Sequence, residues 1–458
     1  MPLLPYIPLL SSTLPPPIGP YGVGYAVVHA PAQIWYRPSP LFKDPSPRAG
    51  EPALRIIGST FAIYYPTDER VGSVQWIPEP AGGVLAGYGR YFGAGEWILP
   101  IVSGAASRYQ VPVSPNAPLR PTKEPYPLVI FSHGICGTLT TYSQWAANLA
   151  SEGYVVLAIE HADGSGPCVV LPDGDGELPL TIMRELEWDD SPDSSPTPTS
   201  STPSSTASSI FSGLSGLSGL GKVKRGKAEA DLRALQLDQR VREVYAAHAA
   251  FSNPSDWNVD ELDQAETPKW AASFTGQVDS SRPALAGHSF GASTVFRALE
   301  APPDDYKPLD VSAALALDHW WEPFPPLGDR PLILDPPPTL AINSQEYTQA
   351  SQWPFILEDC KNAKANLVTI IGTNHESFCD FPVIVTASLA TDMGYLKTIH
   401  QLSLALLKGS LDDTLGPPDG GEFPRTCFGK MAGRRGEVVT HLRSNKVQES
   451  QTADTPKQ

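Results

Sequence analysis

The sequence predicts an α/β fold, a mostly parallel central sheet flanked by helices and interrupted by a disordered Ser/Pro-rich insertion. Three observations carry this. Short, wholly apolar runs such as Leu128–Phe131 and Tyr154–Ile159 stop abruptly, the pattern of strands buried on both faces. Helical stretches separate those runs, so strand and helix alternate along the chain. Of 458 residues, 41% are hydrophobic and 18% charged, which supplies apolar material for a sizeable core.

The elements follow in order. Met1–Gly24 is Pro-rich and extended and is expected to lie along a domain surface. The run LRIIGSTFAIYYP from Leu54 mixes β-branched and aromatic residues, which predicts an antiparallel pair at the sheet edge. A long Gly/Pro-rich connection is expected from Pro78 to Pro125. Leu128–Phe131 then opens a β-α-β unit. Its helix spans Thr141–Gly153, with Tyr142, Trp145 and Leu149 at helical spacing, and Tyr154–Ile159 is its second strand. Such crossovers are right-handed. Residues 189–226, Ser/Thr/Pro-rich and then a repeated Gly-Leu-Ser triplet, cannot bury enough apolar surface to order themselves. Ala228–Phe251 follows as a helix, with Leu237, Val241, Val244, Tyr245 and His248 on one face and Arg and Glu on the other. His248 on that stripe reads as a core histidine. Pro283–Ala286, Ala313–Leu317, Thr339–Ile342 and Leu367–Ile371 supply further strands. Residues 1–410 are expected to form a single domain and 411–458 a polar, loosely ordered tail.

Composition excludes several functions. Lys and Arg total 33 against 49 Asp and Glu, a net charge of −16, so no basic face for nucleic acid is expected. Cys136, Cys168, Cys360, Cys379 and Cys427 show no C-x-x-C spacing, which argues against zinc and against a disulfide scaffold. A reducing, cytoplasmic location is the expectation. The start, MPLLPYIPLL, lacks a basic n-region and is broken by prolines, so it makes a poor signal peptide. No apolar run is long enough to span a bilayer. Lys222, Lys224, Arg225 and Lys227 beside the leucines of the insertion, and Arg434, Arg435 and Arg443 in the tail, are candidate points of peripheral membrane contact. Solvated loops are the plainer reading of both.

Gly287-His288-Ser289-Phe290-Gly291 fits G-x-S-x-G, and its context strengthens it: the strand PALA precedes it and a helical stretch, Ala292–Leu299, follows. That setting leaves a Ser hydroxyl exposed at the strand's C-terminal edge, so Ser289 is the candidate nucleophile. A Ser hydroxyl needs a base within hydrogen-bond reach. Among His319, His375, His400 and His441, only His375 sits on a loop directly after a strong strand. Asp318 terminates AALAL and is the first candidate acid, to orient the imidazole; Asp335, ending PLILD before three prolines, is the second. Backbone N–H groups of Phe290 and of Ile135, in the HGICG loop after the first strand of the unit, are candidate oxyanion donors. Cys136 and Cys379 lie near these residues and invite a thiol mechanism, but neither has a better-placed base. No HExxH, P-loop or G-x-G-x-x-G pattern occurs, so no metal or nucleotide cofactor is expected.

Further segments are GPYGVG (19–24), FSHGICG (131–137), LASEGYVVLAIEHADGS (149–165), GHSFGAST (287–294), ALDHWWEPF (316–324), INSQEY (342–347) and GTNHESFCDFP (372–382). Together they resemble the platelet-activating factor acetylhydrolase family, the plasma and type II intracellular group of α/β-hydrolases. The resemblance covers roughly residues 15–165 and 225–410. It implies an α/β-hydrolase fold and a calcium-independent serine esterase acting on phospholipids with a short or oxidised sn-2 acyl chain. It maps a catalytic triad onto Ser289, Asp318 and His375 and the oxyanion hole onto Ile135 and Phe290. The chain departs from the family pattern at Cys136, Ala162 and His319. A general carboxylesterase or polyester hydrolase of the same fold, and a non-catalytic lipid-binding protein, are the alternatives.

Overall fold

The apolar runs pair into one ten-stranded sheet. Its strands are β1 (Gly22–Trp35), β2 (Arg55–Thr67), β3 (Ser114–Pro115), β4 (Tyr126–Ser132), β5 (Val155–Glu160), β6 (Val278–His288), β7 (Ala314–Leu317), β8 (Thr339–Ser344), β9 (Asn366–Ile370) and β10 (Val438–Leu442). The spatial order is β10-β9-β8-β7-β6-β4-β5-β2-β1-β3. From β5 through β4 to β9 the pairs are parallel, while β1–β2, β2–β5 and β9–β10 are antiparallel. This computed structural model describes residues 13–35, 55–91, 108–170, 180–182, 227–254, 257, 269–325, 329–385, 389–415 and 435–444. The Ser/Pro-rich insertion, with Lys222, Lys224 and Arg225, and Arg434 and Cys427 lie outside these residues.

Strand periodicity divides the core in two. On β4, Val129 and Phe131 point to the side of α2 (Ser143–Ser151) and α5 (Leu389–Leu407), joining Trp145, Leu149, Ile399 and Leu402. Leu128 and Ile130 point the other way, to α3 (Lys227–Phe251) and α4 (Phe290–Glu300), among Val241, Tyr245 and Val295. A strand covered on both sides must be apolar throughout, which is why LVIF was legible. The N-terminal end of α2 has no cap of its own. A distant carboxylate serves instead: Asp380 accepts from the Ser143 N–H (3.0 Å), the Gln144 N–H (3.2 Å) and the Trp76 indole N–H (3.1 Å).

Three features depart from the sequence reading. Within the expected Gly/Pro connection, Ala81–Tyr91 forms a helix, α1, despite four glycines. Val84 and Tyr88, four residues apart, are buried in the core, and Tyr88 stacks on Trp76, so tertiary packing overrides poor helix propensity. Part of the expected tail is ordered: β10 closes the sheet against β9, and Ile371 donates its N–H to the Glu437 carbonyl. On α3, the residues assigned to the polar face are not all exposed. Leu237, Val241, Val244 and Tyr245 are buried as expected, but so are Arg240 and Glu243. Buried polar partners from other segments hold them there, and a helical wheel cannot show those. His248 is half-buried, with Nε2 2.7 Å from the Ser280 carbonyl oxygen.

Candidate active site

The turn between β6 and α4 is built by close packing. A Cβ at Gly287 would lie 2.3 Å from the Gly291 carbonyl carbon, and one at Gly291 would lie 1.8 Å from the Ser132 carbonyl oxygen. Glycine is therefore required at both ends of G-x-S-x-G. Between them Ser289 takes φ 56° and ψ −118°, a conformation disfavoured for a residue with a side chain. Such strain places the hydroxyl above the C-terminal edge of the sheet, at the start of α4.

Three loops at that edge converge on it. The Ser289 Oγ lies 2.9 Å from His375 Nε2, and His375 Nδ1 lies 2.7 Å from Asp318 Oδ2. Asp318 follows β7, carries φ 47°, and is wholly buried. Its carboxylate also accepts from the Ser344 N–H (2.7 Å) and Ser344 Oγ (2.9 Å), so neither oxygen is left without a donor. His375 begins the turn after β9, donates its backbone N–H to Glu346, and has the Tyr347 ring stacked on its face at 4.5 Å. Sequence reasoning singled out neither Ser344 nor Tyr347, though both lie in the INSQEY segment.

Burial disfavours an imidazolium at His375. The Asp318 hydrogen bond and charge, aided by Glu376 and Glu346, outweigh that effect and raise its pKa above the usual 6.5. The neighbouring His288, 4.6 Å away ring to ring, is driven the other way by burial and by His375, and stays neutral. His288, Asp318 and His375 are also the one cluster of three candidate metal ligands among the described residues. Their geometry suits hydrogen bonding better: His375 and Asp318 bond each other, and His288 Nδ1 lies 2.8 Å from the Tyr142 hydroxyl.

The competing residues fall elsewhere. Asp335 is exposed and precedes β8, at the opposite edge of the sheet from Asp318. His319 is buried with Nε2 3.1 Å from Asp359, and burial pushes its pKa down to about 3. His400 lies in α5, and His441 in β10 meets Thr369. Burial holds the thiols of Cys136 and Cys379 protonated, the inert form of a cysteine.

Ile135 and Phe290 flank the serine. Phe290 is the first residue of α4, where an N–H has no helical acceptor. Ile135 lies between Gly134, whose N–H donates to the Tyr142 hydroxyl (3.1 Å), and Cys136, whose N–H donates to the Ser165 carbonyl (2.8 Å). A Cβ at Gly134 would lie 3.0 Å from Ser289 Cβ, so this loop runs directly beside the serine. Tyr142 was read from the sequence only as a helix-face residue.

Comparison with known proteins places the chain by family and by fold. The family model for platelet-activating factor acetylhydrolase, isoform II, matches residues 11–174 and 218–405. The platelet-activating factor acetylhydrolase of Bos taurus is 27% identical over 362 residues, 78% of this chain and 68% of the relative. That of Gallus gallus is 28% identical over 342 residues, 71% and 70% of the two chains. A ferulic acid esterase from Streptomyces cinnamoneus, at 17% identity, superposes with a TM-score of 0.51 over 93% of this chain and 98% of its own, which shows the shared fold. The sheet is thus that of an α/β-hydrolase, and the chain belongs to the platelet-activating factor acetylhydrolase family, isoform II, a family of ester hydrolases.

Proposed function

We propose that this chain is a serine esterase that removes a short or oxidised acyl group from the sn-2 position of platelet-activating-factor-like phospholipids. The observation that carries the reading is the unbroken Ser289–His375–Asp318 hydrogen-bond chain at the sheet edge, in a member of this family. His375 Nε2 takes the Ser289 proton as Oγ attacks the ester carbonyl. Asp318 holds the Nδ1–H tautomer and stabilises the imidazolium. The Ile135 and Phe290 N–H groups receive the oxyanion. Collapse expels the lysophospholipid alcohol, which takes the proton from His375, and water activated by the same imidazole releases the acyl group from Ser289. No metal or organic cofactor enters these steps.

The phospholipid substrate brings peripheral contact with a lipid surface into the reading. Among the described residues no helix is long and apolar enough to cross a membrane. A cytoplasmic location is supported by the free thiols at Cys136, Cys168, Cys360 and Cys379.

The test is the hydrolysis rate against sn-2 chain length, for the unmodified chain and for Ser289→Ala. The rate is expected to fall as the acyl chain lengthens, and the substitution to lower kcat by about 10⁴-fold or more with the fold intact. Retained hydrolysis by Ser289→Ala overturns the serine mechanism. A preference for soluble short esters over aggregated phospholipid overturns the lipid substrate and favours a general carboxylesterase.

A further inference from the structure

We propose that Arg240 is a positioning residue for the oxyanion hole, a buried guanidinium that fixes the loop carrying Ile135 from both flanks. The proposal rests on reading Ile135 and Phe290 as oxyanion donors. Arg240 lies on α3, with no exposed surface. Its planar fork reaches three acceptors: Nε donates to Asp163 Oδ2 (2.7 Å), one terminal nitrogen to the His133 carbonyl (2.5 Å) and the other to Ser165 Oγ (2.5 Å). His133 stands two residues before Ile135. Ser165 carries the carbonyl that receives the Cys136 N–H, one residue after Ile135. The same guanidinium lies 4.3 Å from the centroid of the Phe290 ring, whose backbone supplies the other donor. One cation thus touches every segment that presents an N–H to the oxyanion.

A buried ion pair needs only one carboxylate for its own stability, and Asp163 provides that. The two further hydrogen bonds go to the loop beside the serine and to the strand-end turn bracing it. Preorganised donors stabilise a transition state only when their positions are fixed before the reaction, and a misplacement of about 1 Å costs on the order of 10²-fold in rate. A lysine keeps the charge but loses the fork, so it cannot serve all three acceptors.

The test uses the full chain with three variants: Arg240→Lys; Arg240→Met combined with Asp163→Asn, which leaves no buried charge alone; and Ser165→Ala. The last keeps the ion pair and carries the test if the others fail to fold. Hydrolysis of p-nitrophenyl acetate gives kcat and KM, inhibition by a trifluoromethyl ketone that adds to Ser289 reports the oxyanion site, and thermal melting reports folding. The Arg240 variants are expected to lose about 10²-fold in kcat with KM little changed, and Ser165→Ala about tenfold. Ketone affinity should weaken in step with kcat/KM. Any folded variant with unchanged kcat, or a loss carried by KM with ketone affinity intact, overturns the positioning role. Ser289→Ala, run alongside, separates the two readings. If it still hydrolyses ester, the site itself was misassigned; if it is dead while folded Arg240 variants are fully active, the positioning role alone fails.

Discussion

Replacing Asp318 by Asn tests the triad at its most buried member. The substitution preserves size and removes one negative charge. The wild-type carboxylate accepts the His375 Nδ1–H at 2.7 Å and two bonds from Ser344. An amide oxygen in the Oδ1 place still accepts from the Ser344 N–H, but the NH₂ then stands in the Oδ2 place, facing the Ser344 hydroxyl and His375, and selects the tautomer with the proton on Nε2, pointing at Ser289. A base protonated on that nitrogen cannot accept the serine proton. The same exchange in the Ser-His-Asp proteases costs about 10⁴ in kcat, some 5 kcal/mol of transition-state stabilisation at 1.36 kcal/mol per decade. A second readout follows from electrostatics. Burial alone would lower the His375 pKa, and Asp318 is the chief influence raising it. The base works unprotonated, so kcat/KM of the parent should fall as pH drops through an apparent pKa above 6.5, and in Asp318→Asn that acid limb should move to lower pH. Rates on a soluble ester from about pH 5 to 9, with melting curves to confirm folding, decide it. A folded Asp318→Asn variant within tenfold of wild-type kcat, or one whose acid limb stays put, refutes the role assigned to Asp318.

Two stability predictions accompany it. Gly291→Ala puts a Cβ 1.8 Å from the Ser132 carbonyl oxygen, so β4 or the elbow must shift; a loss of about 3 kcal/mol or more in urea unfolding is expected, with activity falling alongside. Asp380→Ala strands the Trp76 indole N–H and the Ser143 and Gln144 N–H groups at the start of α2. At about 1–3 kcal/mol per buried donor left without an acceptor, the urea midpoint should drop markedly, and an unchanged midpoint would show that water replaces the carboxylate.

How much of this was legible in the sequence depends on where each residue's partners lie. Ser289, Asp318 and His375 were readable because each follows the buried C-terminal stretch of a strand, rich in Ala, Leu, Val or Ile, and in a parallel sheet all such strand ends share one edge. Ordering strand ends along one rim required no knowledge of side-chain contacts. The helix at Ala81–Tyr91 was hidden because its glycines argue for a loop, and only packing of Val84 and Tyr88 against the core argues back. β10 was hidden because an edge strand with one polar face, VVTHL, resembles the polar stretches around it.

Arg240 shows the same limit at the site. Charged residues are almost never fully buried unless paired, so a helix pattern assigns an arginine to solvent by default. Its partners are 77 residues away at Asp163 and 107 away at His133, and no local period encodes them. The proposed reacting groups are therefore visible from strand ends, whereas the buried side chains that bond to their loops become visible only once folding has brought β4, β5 and α3 together. Errors in reading α3 were errors about that assembly, and they fell on the residue most tightly built into the support of the proposed oxyanion hole.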